Sequence, residues 1–281
     1  ENNEDYAYTA IRHWVGWLNQ SGTNPRGPGY VIPLDHGCRS IALPRAFAWL
    51  IMSEHMTPDV WSATLKYMWK SGDIMVTNNY AINDPHNAGV VAARGLHMMN
   101  CYYDEFATYD KWLAKTREKI QTVANGSLID AEGGYGEGSL AYASMTVNNM
   151  FGYTTPNTDT NVQDLPFNNR ADYDKVEDLA VYLMDMSMPG YKDSQWGDGA
   201  EYTTGYTGPF RTVLQEYDNP YLKYAVGEEG GMVPDYTSVL YKNYRRMVMR
   251  SGWGENDNYL FTDLDGATVQ HTHKDDNSII V

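Results

Sequence analysis

The chain has 281 residues and a formal net charge of −15, which argues against nucleic acids and anionic membranes as partners. Hydrophobic residues make up 42% of the sequence, so the chain can bury a sizeable core, and global disorder is excluded. Aromatic residues make up 13%, with 23 Tyr and 8 Trp. Most of these rings are expected in a helical core, but the excess also suits carbohydrate sites, because a flat ring packs on the apolar face of a sugar.

The chain as far as about residue 190 has the apolar spacing of α-helices, with hydrophobic residues three or four positions apart. Thr57 is a favourable N-cap, and Pro58 then stands at the first helical position. Asp35–Arg39 is expected in a loop. The predicted helices are Tyr6–Leu18, Ala42–His55, one that starts at Pro58, Pro85–Tyr103, Tyr109–Val123, Tyr142–Met150 and Tyr173–Met188. This series predicts a toroid or bundle of antiparallel helices.

The pattern changes near Tyr236, after which short extended runs alternate with turn signals. Three strands bury little of a sheet face, so we expect the sheet to pack on the helices or to continue into further strands. Two domains are predicted, residues 1–235 and residues 236–281. The predicted strands are Met247–Met249, Tyr259–Phe261 and Thr268–Gln270.

Residues 271–275 read His-Thr-His-Lys-Asp and are the first candidate for chemistry. Because alternate residues of a strand share one face, His271, His273 and Asp275 are expected to project together. Two imidazoles and a carboxylate can bind a metal or perform acid–base chemistry. The same five residues also fit a polar strand end at the surface, and in isolation that interpretation is favoured.

A second candidate is the glycine-rich run of residues 133–138, which leads into a predicted helix. Glycines allow unusual backbone angles and the close approach of a ligand. Tyr135, Glu137 and Tyr142 lie in or just after this run, and a tyrosine can transfer a proton when its pKa is lowered or its partner is positioned. The alternative is a flexible loop between helices, followed by a core tyrosine.

A third candidate is Asn78-Asn79-Tyr80, with His86 following at a helix start. Asparagine amides can hydrogen-bond a substrate carboxylate and stabilise the enediolate that forms when the α-proton leaves. The alternative assigns these asparagines to a loop and a helix cap.

Several single residues add to these segments. Arg39 could face a polyanion or pair locally, and Trp196 lies in a loop rich in tyrosine and glycine that suits a sugar platform. Three histidines lie within or at the ends of apolar helices and are expected to be structural. They are His13, His55 and His97.

Taken in order, these segments resemble the heparinase II/III-like polysaccharide lyases, a group that includes heparin, heparan and alginate lyases. Residues 246–253 and residues 271–275 are similar to the opening of that family's β-domain. Residues 133–142 are similar to its DG..EGS..Y segment, with glycine in place of the usual aspartate. Residues 78–80 are similar to its Asn-Asn-His segment, with tyrosine in place of histidine, which puts the identity of the base in question. The resemblance extends from about residue 35 to the end of the chain.

The resemblance implies a mainly α fold, with an (α/α) toroid of antiparallel helices followed by the start of an antiparallel β-sandwich domain. It implies cleavage of a uronic-acid-containing polysaccharide by β-elimination. A base removes the C5 proton, an acid protonates the leaving O4, and a C4–C5 double bond forms. By matching positions, Tyr142 is base and acid, Asn79 meets the carboxylate, His271 is the active-site histidine and His86 is a further catalytic residue. The substrate-binding candidates are Asn78, Tyr80, Arg39, Tyr135, Glu137 and Trp196.

The resemblance also implies a structural zinc, found in some relatives, with His273 as one ligand. The chain stops at Val281, early in the expected β-domain, and further ligands would lie beyond it. We therefore expect that the chain is a fragment, or that a further chain or segment completes the sheet. Because the chain begins at Glu1 and not at Met, it reads as a processed product, and a bacterial periplasmic or secreted location is expected.

Two other functions stay open. A glycoside hydrolase on a helical toroid would use two carboxylates, Glu137 with Asp198 or Asp130. A non-catalytic glycan-binding module would bind through Trp and Tyr surfaces without cleaving the polymer. Cys38 and Cys101 lack the spacing of a metal motif, and whether they pair is open.

Overall fold

The computed structural model describes residues 4–21, 33–77, 82–102, 105, 108–151, 170–192, 205–264 and 278–280. In these ranges the chain is mainly helical and ends in an antiparallel sheet. The helices are α1 (Glu4–Ser21), α2 (Pro33–Leu50), α3 (Pro58–Thr77), α4 (Asn87–Tyr102), α5 (Tyr109–Thr122), α6 (Leu140–Phe151), α7 (Arg170–Met186), α8 (Thr207–Val213) and α9 (Pro220–Val226). The strands are β1 (Ser238–Tyr241), β2 (Arg246–Arg250), β3 (Tyr259–Asp263) and β4 (Ser278–Ile280).

Local capping chemistry sets the helix starts that the sequence predicted. Thr57 accepts a bond from the Val60 backbone N–H through its hydroxyl, at 3.4 Å, and Pro58 occupies the first helical position. Asn219, which the sequence did not single out, caps α9 through its side-chain oxygen, which accepts from Tyr221 N and Leu222 N at 3.0 Å each. Gly227 closes α9 in the left-handed conformation, with φ of 71°.

The prediction for the second helix is wrong at both ends. Asp35–Arg39 lies inside α2 and not in a loop, and α2 stops at Leu50, before the predicted end at His55. Gly37 packs closely on α4, because a side-chain carbon there would come within 2.7 Å of the Val91 and Ala92 backbone. This glycine serves the close packing of two helices, which the sequence cannot distinguish from a loop glycine.

The four strands form one antiparallel sheet in the order β1-β2-β3-β4. Val248 pairs with Val239 on one side and with Phe261 on the other. Val248 and Phe261 are buried, whereas the neighbouring Met249 is 47% exposed, so one face of the sheet is packed and the other meets solvent. The predicted strands Met247–Met249 and Tyr259–Phe261 are confirmed, and the predicted strand Thr268–Gln270 lies outside the described residues.

The described residues divide into two compact units, with those as far as Lys119 in the first and those from Ile120 onward in the second. In the first unit α2 packs mainly on α4, and in the second α6 packs on α7. The predicted boundary at residue 235, between helices and sheet, stays a prediction. In the described part of the chain, no helix has both the length and the apolar character needed to cross a membrane. Cys38 and Cys101 do not form a disulfide.

Candidate functional site

The glycine-rich run in the second unit is a tightly bonded turn and not a flexible loop. The Asp130 carboxylate accepts bonds from the backbone N–H groups of Glu132 and Gly134, at 2.8 Å each. Gly133 has φ of +81°, and a side-chain carbon there would come within 2.7 Å of the Asp178 side chain. These contacts fix the backbone that leads into α6.

Two of the predicted substrate-binding residues lie in this turn and are fully buried. The Tyr135 hydroxyl donates to Glu137 Oε2 at 3.1 Å and lies 2.7 Å from the Thr146 hydroxyl, which can donate to it. Burial and the nearby Glu137 charge raise the pKa of Tyr135 well above its usual value. Both side chains are 0% exposed. Their assignment to substrate stays a prediction, and in this structure they form an internal network.

Arg246 of β2 joins the turn to the sheet. Its guanidinium donates to the Tyr135 carbonyl and, at 3.0 Å, to the Tyr182 hydroxyl of α7. Its Nε lies 3.5 Å from Asp263 of β3, and Arg246 and Asp263 are each 4% exposed. The Tyr244 ring packs against Gly134 and Gly136, where side-chain carbons would come within 3.0 Å of it. The glycines therefore admit a tyrosine of the sheet.

Tyr142, the predicted catalytic tyrosine, stands in the first turn of α6. Its neighbours on the packed face, Leu140 and Ala143, are fully buried. Tyr142 itself is half-buried, so part of it reaches solvent. Of the three predicted site residues in this stretch of the second unit, Tyr142 alone has a surface that a substrate could meet.

His86 and Arg39 belong to the first unit. His86 precedes α4 and is half-buried, and its backbone N–H donates to the Asp84 carboxylate at 2.8 Å. Arg39 is half-buried on α2, and its positive charge opposes the rise in the pKa of Tyr67 that burial causes. Both predicted residues therefore keep part of their side chain at the surface.

Eight candidate residues lie outside the described residues, so their roles stay predictions. They are Asn78, Asn79, Tyr80, Trp196, Asp198, His271, His273 and Asp275. Among the residues that the structure does describe, one group brings three metal-ligating atoms within 4.8 Å of one another, namely Glu4, Glu54 and His55. All three side chains are exposed or half-buried, and exposed acidic groups often cluster without a metal, so this group supports no zinc site.

The sequence did not identify a buried acid where α7 meets the sheet. Asp185 accepts bonds from the hydroxyls of Tyr236 and Tyr241, at 2.8 Å each. Burial raises the pKa of Asp185 to about 6. The two tyrosine hydrogen bonds and the positive charge of Arg250 lower this pKa, but burial has the larger effect. An aspartate inside the apolar run of residues 179–188 was the available signal, because an acid in such a run needs buried partners.

Arg250 completes this junction by capping the end of α7. Its guanidinium donates to the carbonyls of Asp185 and Ser187, which the helix leaves without internal partners. The guanidinium also lies 3.9 Å from the centroid of the Trp253 ring and 5.3 Å from that of Tyr259. A cation at this position also matches the negative end of the helix dipole.

One of the three histidines expected to be structural differs from that expectation. His97 is buried, and burial lowers its pKa to about 4, so it is neutral. His55 is half-buried after α2. His13 is exposed on α1 and bonds to no other residue that the structure describes, so the expected structural role has no support there. Only one face of α1 is packed, and His13 lies outside it.

The comparisons with known proteins agree with this architecture. The model of the Heparinase II/III N-terminus family matches residues 2–224. No curated protein matches the sequence. The chain is similar in structure to the heparan sulfate lyase HepC from Pedobacter heparinus, studied as a mutant, with a TM-score of 0.73 at 19% identity. It is also similar to Heparinase III, with a TM-score of 0.83 at 16% identity.

Each alignment covers 99% of this chain but only 44% and 45% of the two solved chains, so this chain spans less than half of their length. At these identities the similarity establishes the fold alone. The predicted fold class, mainly helical with an antiparallel sheet after the helices, is confirmed.

Proposed function

Because the chain belongs to the Heparinase II/III N-terminus family, we propose that the protein is a polysaccharide lyase that cleaves a uronic-acid-containing polymer by β-elimination. The family match over residues 2–224 carries this proposal. The fold shared with a heparan sulfate lyase and with Heparinase III favours a glycosaminoglycan as the substrate class.

In the proposed reaction Tyr142 removes the C5 proton of the uronate and returns a proton to O4 of the leaving sugar. The electron pair of the C5–H bond forms the C4–C5 double bond as the C4–O4 bond breaks. Asn79 neutralises the carboxylate, which stabilises the enediolate, and His271 and His86 assist. The partial exposure of Tyr142 on α6 supports its place in this scheme.

The buried network of Tyr135, Glu137 and Arg246 has a positioning role in this proposal. It holds the turn from which α6 begins, and the Ser139 carbonyl accepts the first helical bond from Ala143 N at 3.2 Å. A catalytic side chain needs a fixed backbone, because small displacements from the reactive geometry are costly. Because the first turn of α6 is rigidly supported, Tyr142 is a better candidate for the catalytic residue than a side chain on a loose loop.

The product assay tests the reaction directly. The protein is incubated with heparan sulfate, chondroitin, alginate and glucuronan, and the ultraviolet absorbance of a conjugated uronate is followed. We expect absorbance to rise with at least one polymer. Absence of any unsaturated product from all four would contradict the proposal.

The role of Tyr142 has a matched test. Tyr142→Phe is expected to lower kcat by a factor of about 10² to 10⁴ with little change in binding of the polymer, because only the proton-transferring hydroxyl is lost. Tyr6→Phe removes a hydroxyl from a side chain that is 77% exposed and should leave kcat unchanged. Full activity of Tyr142→Phe would move the catalytic tyrosine elsewhere.

The hydrolase alternative is less well supported by the described carboxylates. Glu137 is fully buried, and the Asp130 carboxylate already accepts two backbone bonds and one from the Asn243 amide at 3.0 Å. A hydrolase would release saturated products without the absorbance. A glycan-binding module would bind the polymer and release nothing.

An exported location in a bacterium and a zinc ion held by His273 belong to the same proposal. Zinc would hold the β-domain together, since structural zinc contributes directly to folding. Metal analysis of the purified protein and of His273→Ala tests it. Equal zinc content in both, or none in the natural protein, would remove His273 as a ligand.

A further inference from the structure

A groove of about 480 Å³ follows one face of α1, and its lining residues define what we call the α1 groove. The lining residues are Tyr8, Thr9, Arg12, His13, Gly16 and Trp17. They fall into two rows, residues 8-12-16 and residues 9-13-17, whose members are four positions apart. On a helix these two rows lie about 100° apart, and the groove runs between them. The volume lies within the roughly 300–1,000 Å³ that is usual for sites of small ligands.

Aromatic rings stand at both ends of the α1 groove, and each is held by a second ring. Tyr8 is 49% exposed and meets the His55 ring edge-on, with 5.0 Å between centroids. Trp17 meets the buried Tyr67 ring in the same manner at 4.6 Å. Tyr8 and Trp17 are nine positions apart, about 14 Å along the helix axis, which exceeds a single sugar ring. Rings fixed in this way form ready platforms for the apolar faces of sugars.

Two basic side chains lie between the rings. Arg12 and His13 are exposed, and neither forms an ion pair or hydrogen bond with any other residue that the structure describes. A guanidinium offers paired donors that match a carboxylate or a sulfate. Asp5, which is exposed one turn before Tyr8, makes the start of α1 unfavourable for an anion. An anionic group is therefore expected on Arg12 and His13 and not at the helix start.

Gly16 keeps the groove open between Arg12 and Trp17. A side-chain carbon at Gly16 would meet nothing within 4 Å, so packing does not require a glycine there. Glycine inside a helix is less stable than alanine. At Gly37, in contrast, a side chain would strike the α4 backbone, so Gly16 borders open surface and Gly37 the core.

We propose that the α1 groove is a carbohydrate-binding site for an acidic saccharide segment. Its carboxylate or sulfate binds Arg12 and His13, and its sugar rings pack on Trp17 and Tyr8. The choice of polymer rests on the proposed lyase function, whereas the binding itself requires no catalysis. The site adds a contact to the substrate that lies outside the predicted catalytic residues.

Isothermal titration with heparan sulfate, alginate and neutral dextran tests the site. We expect Arg12→Gln to weaken binding of the acidic polymer roughly tenfold, because a charge-assisted bond is lost. Lys111→Gln is the matched control, since it removes the same charge from an exposed position on α5 and should leave the Kd unchanged. Dextran should bind at least tenfold more weakly than the acidic polymer.

Gly16 supplies a second, independent pair of variants. Gly16→Leu directs a side chain into the groove and should also weaken binding roughly tenfold, without loss of any charge. Gly16→Ala adds only the first carbon and should bind as the natural protein does. If Gly16→Leu failed to fold, Arg12→Gln measured against Lys111→Gln would still decide the matter.

The ultraviolet assay on the same samples separates this proposal from the proposed function. Unchanged affinity in Arg12→Gln and Gly16→Leu, or absence of acidic polymer binding to the natural protein, overturns the α1 groove as a site. Lost binding in both variants, together with no unsaturated product from the natural protein, supports the groove and contradicts the lyase. Normal cleavage and normal affinity in both variants leave the lyase standing and remove the groove.

Discussion

The junction between α7 and the sheet and the face of α1 use similar residue types in opposite ways. At the junction, Arg246 and Asp263 are each 4% exposed and pair with each other, and Asp185 is bonded by two tyrosines. On α1, Arg12 and His13 face solvent. A buried charge without partners is strongly destabilising, so charges at the junction must serve the fold. An exposed charge is stabilised by water, so it needs no partner in the fold and is available to a ligand.

The largest expected difference between the two regions concerns arginine. Arg246→Met should lower the free energy of unfolding by about 3–5 kcal/mol, because Asp263 is left buried without its cation. Arg12→Met should change the same quantity by less than about 0.5 kcal/mol. Urea denaturation of the natural protein and of the two variants measures both changes in the free energy of unfolding. Similar losses in the two variants would remove the distinction between the regions.

The second effect is a pH dependence at Asp185. Its pKa is 3.8 in the unfolded chain and about 6 in the fold, so between these pH values the folded state holds a proton that the unfolded state has released. The contribution of this group to stability is therefore present at about pH 4 and is lost as pH rises through 6. The shift corresponds to about 3 kcal/mol.

The Asp185→Asn side chain keeps an acceptor oxygen for one tyrosine hydroxyl but cannot ionise. The stability of this variant should therefore lack the pH dependence that Asp185 causes. The stability of the variant relative to the natural protein should rise by about 3 kcal/mol between pH 4 and pH 7. Urea denaturation at several pH values provides the comparison. Parallel pH profiles for the two proteins would show that Asp185 does not titrate in this window.

The third effect compares glycines. Gly37→Ala should destabilise the protein by about 1–3 kcal/mol, because the new carbon would lie 2.7 Å from the rigid backbone of α4. Thermal unfolding monitored by circular dichroism is a sufficient measurement. An unchanged Tm would mean that α2 and α4 can separate at little cost.

The smallest effect has the opposite sign. Gly16→Ala should stabilise the protein by about 0.5–1 kcal/mol, because its side chain meets open space in a helix. The same thermal measurement applies, with Gly37→Ala as the opposing reference. A lower Tm for Gly16→Ala would show that the open face of α1 is packed in solution, which would also weaken the case for a ligand there.

Local features of the sequence predicted most of the elements. Apolar spacing placed α3, α5 and α7 within a few residues, and alternating strands placed β2 and β3. Helix periodicity and caps depend on residues three or four positions apart, so the sequence displays them directly. The short strands β1 and β4 and the short helices α8 and α9 were missed, since three to seven residues carry too little periodic signal.

The candidate site was predictable in part. The sequence identified the glycine-rich turn and Tyr142, but not that Glu137 is buried or that Asp185 anchors the sheet. Residue type shows which chemistry a side chain can perform. Whether it meets solvent depends on what packs over it.

The sequence by itself determined the helical class, the position of the sheet and the resemblance to a family of lyases, because these depend on local spacing and motif order. The tertiary structure decided which acids and bases are internal. Arg246 reaches the carbonyl of Tyr135 across 111 positions of sequence, and no local pattern encodes that bond. His13 was expected to be structural and lies exposed on the surface, since burial is set by contacts between distant parts of the chain.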